Sequence, residues 1–359
     1  MDFMERAREL ARLGEGFTNP NPLVGAVIVK NGKIIGEGYH VQYGDLHAER
    51  NALKNCTESP EGADIYVTLE PCCHTGKQPP CTDALIEAGI RRVFIGSSDP
   101  NPLVTGKGVK KLRDAGIEVI EGFEKEQCDA LNPIFFKFIT TGFPYVILKT
   151  AMTADGKTAA YTGDSQWITN EKSRENVHRT RRRVAAILTG INTVLNDDPL
   201  LNCRIEPAKN PIRIVCDSTL KIPLDCRLIR TASEIPTLVA TVCENSDKIK
   251  QLEKYGVRVL SVREENGRIS LKHLMELLGQ MRIDSVLIEA GAEINASAME
   301  SGIVDLYQLY IAPKLIGGRT AKTPFGGNGI PKMSDALLLG EPKIRFFDGD
   351  ILLEYPIGN

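Results

Sequence analysis

The segment from His47 to Cys81 restricts the fold of this chain more than any other. It opens with His47-Ala48-Glu49 and closes with Pro71-Cys72-Cys73-His74-Thr75-Gly76-Lys77-Gln78-Pro79-Pro80-Cys81. One imidazole, one carboxylate and two well-separated thiols make a zinc site. Neutral imidazole and thiolate suit Zn²⁺, and three protein ligands with a fourth position left for water is the pattern of a catalytic centre. The ligands read as His47, Cys72 and Cys81. Cys73 is a rival to Cys72, which is preferred because it directly follows Pro71. Residues two apart on a regular helix point about 200° away from each other. His47 and Glu49 therefore converge only if His47 sits at an irregular first turn, where Gly44 and Asp45 place it.

An H-x-E followed by P-C and a later Cys is the pattern of zinc deaminases of nucleobases, in which the Glu is not a ligand but moves protons. Glu49 is the candidate for that role. The departure is in the spacing, because eight residues separate Cys72 from Cys81 where the general signature has Cys-x-x-Cys. The bland alternative, a set of core thiols with an incidental histidine, has to explain the whole ordered set.

At 359 residues the chain is long enough for two domains, each with its own core. Lys plus Arg number 44 against 46 Asp plus Glu, so charge gives no reason to expect nucleic acid or an acidic membrane as partner. No apolar run approaches the roughly 18 to 20 residues of a membrane span, and Met1-Asp2-Phe3-Met4-Glu5-Arg6 lacks the pattern of an export signal. A cytoplasmic location is expected, with nine reduced thiols, of which Cys128, Cys216 and Cys243 read as buried small hydrophobes.

The periodicity predicts a helix over Met4–Leu13, then a hairpin of Leu23–Lys30 and Lys33–Tyr39 joined by Asn31-Gly32. Next come a helix over His47–Asn55 with Asp45 as N-cap, a strand over Ile65–Leu69, and a helix over Cys81–Ala88 entered through Pro79-Pro80. A strand (Arg92–Gly96), a helix (Gly108–Ala115) and a strand (Ile117–Glu121) continue the alternation of a three-layer α/β domain. Phe123–Thr141 reads as one last helix with Pro133 ending or kinking it. The junction is placed at Gly142-Phe143-Pro144, giving domains 1–143 and 144–359. Beyond it the alternation returns: helices over Glu171–Arg182, Lys248–Lys254 and Leu271–Gln280, strands over Tyr145–Thr150, Ala185–Thr189, Ile212–Cys216, Thr237–Val242, Val257–Ser261 and Ser285–Glu289. The tail, Leu306–Ile311 and Ile344–Leu353, is strand-rich.

Asn21-Pro22-Leu23-Val24-Gly25-Ala26, His47-Ala48-Glu49, Thr68-Leu69-Glu70-Pro71-Cys72, Pro79-Pro80-Cys81 and Asp99-Pro100-Asn101-Pro102 together resemble the bifunctional deaminase-reductases of riboflavin biosynthesis. Lys149, Asp155-Gly156-Lys157, Gly163-Asp164-Ser165, Trp167-Ile168-Thr169, Asp197-Asp198-Pro199-Leu200-Leu201, Cys203-Arg204, Glu289-Ala290-Gly291 and Pro313-Lys314-Leu315-Ile316-Gly317-Gly318 look like the reductase half of that family. The resemblance covers the long gap between Cys72 and Cys81. It implies a cytidine-deaminase-like domain followed by a dihydrofolate-reductase-like domain, with Zn²⁺ and NADPH as cofactors. It implies hydrolytic deamination of 2,5-diamino-6-(5-phosphoribosylamino)pyrimidin-4(3H)-one, then reduction of the ribosyl group to ribityl. By the resemblance, Asn21, His40, His74, Lys77, Asp99 and Asn101 line the deaminase pocket, Lys77 facing phosphate. Three of the five histidines fall between His40 and His74.

No G-x-G-x-x-G follows a strand in the second half, so the residues alone place no nucleotide there. The resemblance assigns NADPH to Met152, Trp167, Thr193, Asp197, Ser218 and the loop Gly291, Ala292, Glu293, Ile294, Asn295, Ala296 and Ser297, whose helix start offers free N–H groups. It assigns the ribotide to Lys149, Ser165, Arg181, Leu201, Arg204 and Glu289, the arginines being phosphate clamps. Position alone favours a solvated face for Arg181, which lies in a run of four arginines at a helix C-terminus. A small-molecule substrate and a homo-oligomer are expected. Two rivals stand beside this reading: a deaminase of another nucleobase or nucleotide with an unrelated second domain, and a binding protein with a closed, structural zinc.

Overall fold

The computed structural model describes residues 2–75, 78–101 and 104–358. Their contacts divide into two units, Met1–Gly142 and Phe143–Asn359.

In chain order the first unit contains α1 (Phe3–Arg12), β1 (Gly25–Lys30), β2 (Lys33–Tyr39), α2 (Ala48–Lys54), β3 (Asp64–Leu69), α3 (Cys81–Glu87), β4 (Arg92–Ser97), α4 (Lys107–Asp114), β5 (Glu118–Ile120), α5 (Lys125–Asp129) and α6 (Pro133–Thr141). The sheet order is β2-β1-β3-β4-β5, antiparallel across the first three strands and parallel from β3 onward. Successive side chains of a strand face opposite ways, and the two faces are covered separately. Ala26, Ile28, Ile65, Val67, Val93 and Ile95 pack with Ala48 and Ala52 of α2, Leu85 of α3 and Val109 and Leu112 of α4. Val27, Val29, Tyr66 and Phe94 pack with Met4, Ala7 and Leu10 of α1 and Cys128 of α5. Three layers result, as the alternation predicts.

The departures have local causes. The first hairpin strand starts at Gly25, not Leu23, because both backbone groups of Leu23 are bound by the Asn132 side chain at 2.8 and 2.9 Å. Asp45 does not cap α2; His47 itself takes the N-cap position in extended backbone (φ −73°, ψ 165°). The single helix expected over Phe123–Thr141 is two, because Pro133, which has no N–H to give, occupies the first turn of α6.

The second unit contains β6 (Tyr145–Thr153), α7 (Glu171–Arg183), β7 (Ala186–Gly190), α8 (Ile191–Asp197), β8 (Ile212–Cys216), α9 (Arg227–Arg230), β9 (Thr237–Thr241), α10 (Ser246–Lys254), β10 (Arg258–Ser261), β11 (Glu264–Glu265), β12 (Arg268–Ile269), α11 (Leu271–Gln280), β13 (Ser285–Ile288), α12 (Ala292–Glu300), β14 (Leu306–Ala312), β15 (Lys343–Phe347) and β16 (Asp350–Pro356). Its large sheet runs β10-β9-β8-β7-β13-β6-β14-β16-β15, parallel from β10 to β14. Parallel strands buried on both faces read as continuous apolar runs. Val146, Leu148, Leu188 and Ile288 face α11 and α12, whereas Ile147, Ile187, Val215 and Leu287 face α8, α9 and α10. The tail, strand-rich over Ile344–Leu353 as expected, forms the β15–β16 hairpin, turning at Asp348-Gly349 with both residues at positive φ. No helix among the described residues is long and apolar enough to cross a membrane.

Gly38 on β2 lets α2 lie against the sheet. A Cβ there would meet the Ala52 amide nitrogen and come within 2.5 Å of the Ala48 carbonyl. Gly38→Ala should therefore push α2, with His47 and Glu49, away from β2, destabilising the unit by roughly 1–3 kcal/mol. Urea unfolding midpoints and bound zinc measure this; wild-type values for both would disprove the close packing.

Candidate active sites

Three chain segments meet at the first site. His47 caps α2, Cys72 lies three residues beyond β3, and Cys81 is the first residue of α3. His47 Nδ1 is 3.5 Å from Cys72 Sγ and 3.4 Å from Cys81 Sγ, and the three donor atoms lie within 4.8 Å of one another. A tetrahedral zinc about 2.3 Å from sulfur and 2.0–2.1 Å from nitrogen separates N from S by about 3.5 Å. The donor set fits that ion. Cys73, the rival ligand, is outside the cluster. Arg50 of α2, a residue the motifs did not single out, donates to the Pro79 and Pro80 carbonyls at 3.2 and 2.9 Å and so ties the two helix starts together.

The ionisation of these groups follows from the same geometry. Cys72 is the thiolate: the Cys81 thiol donates to it, and despite burial the His47 ring and the Cys81 N–H help bring it down to about 4. That same bond and burial push the Cys81 thiol up. Glu49, 3% exposed, lies within hydrogen-bonding reach of Cys81, and burial followed by the Cys72 charge pushes its carboxyl up.

Around this centre, His40 donates from Nδ1 to the Leu46 carbonyl (3.1 Å) and accepts at Nε2 from Asn21 Nδ2 (3.1 Å). Burial lowers its basicity, so the ring is neutral, and it meets the His47 ring edge-on at 5.3 Å. Asp99 follows β4; burial, with Glu70 adding, raises it to about 6 against the pull of the Asn101 N–H, which bonds it at 2.8 Å. The His74 Nδ1 is buried without a hydrogen-bond partner among the described residues. Lys77, and Pro102 of the Asp99 motif, lie outside the described residues.

In the second unit Lys149, Arg181 and Glu289 form one cluster. Arg181 Nε and Nη2 grip the Glu289 carboxylate at 2.7 and 3.1 Å, and Lys149 Nζ stands 3.6 Å from it. Burial alone would raise Glu289, but the Arg181 and Lys149 charges outweigh it and hold the carboxyl at about 2. Arg181 is thus 13% exposed in its side chain, not on the solvated face that its position in an arginine run suggests. Arg204 is exposed and binds His178, a residue sequence reasoning passed over. Leu201 is buried at φ 50°, and Ser165 is half-buried in the loop between β6 and α7.

Met152, Thr193, Ser218 and Gly291 stand at or just past the carboxyl ends of β6, β7, β8 and β13, which are neighbours in the sheet. Ligands of parallel α/β sheets lie along that edge. Gly291 opens α12 with no side-chain cap, and a Cβ there would touch nothing. The first turn of this nine-residue helix can therefore receive a pyrophosphate. The rest of the loop divides. Ala292 and Ile294 stay in the first turn, and Glu293 pairs with Arg268 at 2.6 Å. Asn295 is buried, donating to the Pro324 carbonyl with its Oδ1 unpaired among the described residues; Ala296 is buried and Ser297 accepts from Arg268. Asp197 ends α8 in solvent. Trp167 is 56% exposed beneath the Arg174 guanidinium, 4.6 Å away.

Comparison with known proteins divides the chain in the same way. The family model of the cytidine and deoxycytidylate deaminase zinc-binding region matches residues 1–97, and that of the RibD C-terminal domain matches residues 144–353. The second match removes the rival with an unrelated second domain. The chain is 56% identical to the riboflavin biosynthesis protein RibD of Actinobacillus pleuropneumoniae over 357 residues, 99% of this chain and 95% of the relative. It is 41% identical to that of Escherichia coli, over 98% of this chain and 97% of the relative. Among solved structures, Acinetobacter baumannii RibD superposes with a TM-score of 0.89 at 38% identity, covering 99% of this chain and 97% of that one. A diaminohydroxyphosphoribosylaminopyrimidine deaminase/5-amino-6-(5-phosphoribosylamino)uracil reductase from Thermotoga maritima superposes with a TM-score of 0.87 at 37% identity, with the same coverage. With a zinc-fitting triad in the first unit and a parallel sheet edge carrying a partly buried Lys-Arg-Glu cluster in the second, the chain belongs to the RibD family, the bifunctional deaminase-reductases of riboflavin biosynthesis.

Proposed function

We propose that the first unit hydrolytically deaminates 2,5-diamino-6-(5-phosphoribosylamino)pyrimidin-4(3H)-one and that the second reduces the ribosyl group of the product to ribityl with NADPH. The observation that carries this is the seating of His47 Nδ1 at 3.4 to 3.5 Å from two thiol sulfurs, with the buried Glu49 in the same helical turn.

His47, Cys72 and Cys81 would hold zinc, which supplies a Lewis acid that makes water nucleophilic at neutral pH. Glu49 is not a ligand. A carboxyl whose proton affinity is raised by burial can take a proton and give it back within one turnover. Glu49 would do so twice, passing one proton of the attacking water to the ring and the second to the departing amine. Neutral His40 holds the Asn21 amide in place, and Asp99, titrating near 6, offers either a donor or an acceptor to the pyrimidine. The unpaired His74 Nδ1 is a further polar atom waiting for a substrate partner.

In the second unit NADPH supplies the hydride and would lie across the ends of β6, β7, β8 and β13, its pyrophosphate at the start of α12. Lys149 and Glu289 hold the sugar, and Arg204 receives the phosphate. Arg181, whose donors are taken by Glu289 and the Asn202 carbonyl, fixes Glu289 in place.

Glu49→Gln should reduce deamination by roughly 10²- to 10⁴-fold, with zinc content and reductase turnover at wild-type levels; loss of zinc from this variant would show that the carboxylate is needed for metal binding. Arg204→Ala should raise the reductase KM for the ribotide by roughly 10- to 100-fold, the worth of a charge-assisted bond, and unchanged kinetics would remove Arg204 from the phosphate site. Glu289→Ala leaves two cations facing each other without their carboxylate, and should lower the stability of the second unit by roughly 3–5 kcal/mol. Denaturant melts check this, and an unshifted midpoint would contradict the pairing.

A further inference from the structure

Helix α7 brings to the ribotide cluster a residue that the family resemblance does not assign. His178 stands one turn before Arg181, on the same face, because residues three apart on a helix are neighbours. It is 7% exposed. Its Nε2 lies 2.9 Å from Arg204 Nε, and its Nδ1 lies 3.3 Å from the Arg204 backbone nitrogen. A neutral imidazole carries one proton, so only one ring nitrogen accepts, and the shorter contact to the charged guanidinium is the stronger.

The two arginines differ in what they leave available. Arg181 commits Nε and Nη2 to Glu289 and Nη1 to the Asn202 carbonyl. Arg204 commits Nε to His178, and its two Nη groups have no protein acceptor among the described residues. Burial, then the charges of Arg181 and Arg204, hold His178 down at about 4, so at neutral pH the ring is an acceptor and not a competing cation.

The loop that carries Arg204 is held on both sides. Cys203 Sγ donates to the His178 carbonyl at 3.4 Å and Cys203 N to Asn210 Oδ1 at 3.0 Å. The Leu200 carbonyl accepts from the fully buried Arg213 at 3.3 Å. Between these anchors Leu201 takes φ 50°, a left-handed conformation that a leucine adopts only where its surroundings enforce it. An arginine on a loop held this firmly still has a long flexible side chain, and the imidazole is what fixes its far end.

We propose that His178 is a positioning residue for the reductase step: it holds Arg204 by Nε and leaves both Nη groups to the phosphate of the ribotide. This rests on the reading of Arg204 as the phosphate clamp. The test is a double-mutant cycle on the full chain, with reductase KM and kcat measured for wild type, His178→Ala, Arg204→Ala and the double variant, and with His178→Gln as the conservative replacement.

His178→Ala should raise KM for the ribotide roughly tenfold, the effect of a lost charge-assisted bond, with kcat within about twofold of wild type. His178→Gln, whose amide oxygen can accept from Nε, should recover most of the loss. The double variant should be no worse than Arg204→Ala alone. A wild-type KM in His178→Ala beside a raised KM in Arg204→Ala overturns the positioning role and leaves the clamp standing. An unaffected KM in Arg204→Ala removes the clamp, and the positioning role with it. Additive losses in the double variant, or equal losses of kcat in the Ala and Gln variants, make His178 structural and overturn the proposal. If His178→Ala does not fold, His178→Phe keeps the ring volume without an acceptor, and a wild-type KM in that variant is equally fatal.

Discussion

A carboxylate buried at the end of a parallel strand must be answered by donors within reach, because an unpaired buried charge is far costlier than a paired one. Both units face this constraint. Glu70 follows β3 and Glu289 follows β13, each directly after the last strand residue. Glu70 is answered by backbone: Asp99 N, Gly106 N, Gly108 N and Val109 N lie 3.2 to 3.4 Å from its oxygens. Those amides belong to the start of α4 and the Asp99 loop, so one carboxylate ties Asp99 to the start of α4. Glu289 is answered by Arg181 and Lys149 side chains, whose charge is not fully consumed by one carboxylate. The same residue type at the same topological position is scaffolding in one unit and part of the proposed ribotide site in the other.

Glu49 is another buried carboxyl and meets the constraint differently. No cation side chain pairs with it among the described residues, and it rises towards the protonated form. The compensation is the ligand set beside it. Two cysteine sulfurs and the His47 ring, their donor atoms within 4.8 Å of one another, make a place where a divalent cation is favoured. A carboxyl that neither ligates the ion nor pairs with a fixed cation remains free to change protonation state, which is what proton shuttling requires.

The layers, the strand ends and the metal site were legible because they rest on local patterns. Alternation at Ala26 to Val29 places one face on α2 and the other on α1, and the two-apart spacing of His47 and Glu49 demanded a helix start, which the extended backbone of His47 provides. What was missed depends on residues distant in sequence. Nothing near Leu23 announces that Asn132 takes both its backbone groups. Nor does Ile191-Asn192-Thr193-Val194-Leu195-Asn196-Asp197, poor in strong helix formers, announce α8; the fold imposes it. Asp348-Gly349 carried the same hairpin signal as Asn31-Gly32 and was readable, but the apolar run on either side masked it.

The arginine run of α7 shows why composition says little about a binding site. The chain has a net charge of −2, and four arginines at a helix end read as a solvated surface. The fold turns Arg181 inward onto Glu289 beside Lys149 and sets Arg204 beside a neutral His178, so Lys149 and Arg181 share a single carboxylate. One positive charge is left over in a partly buried place, where it is screened less than at the surface, and the exposed Arg204 adds a second. A neutral sugar would leave them unanswered, whereas a dianionic phosphate ester answers both. On the proposed reading, the anionic end of the ligand is selected by this charge excess, which exists only once distant segments of the chain have come together.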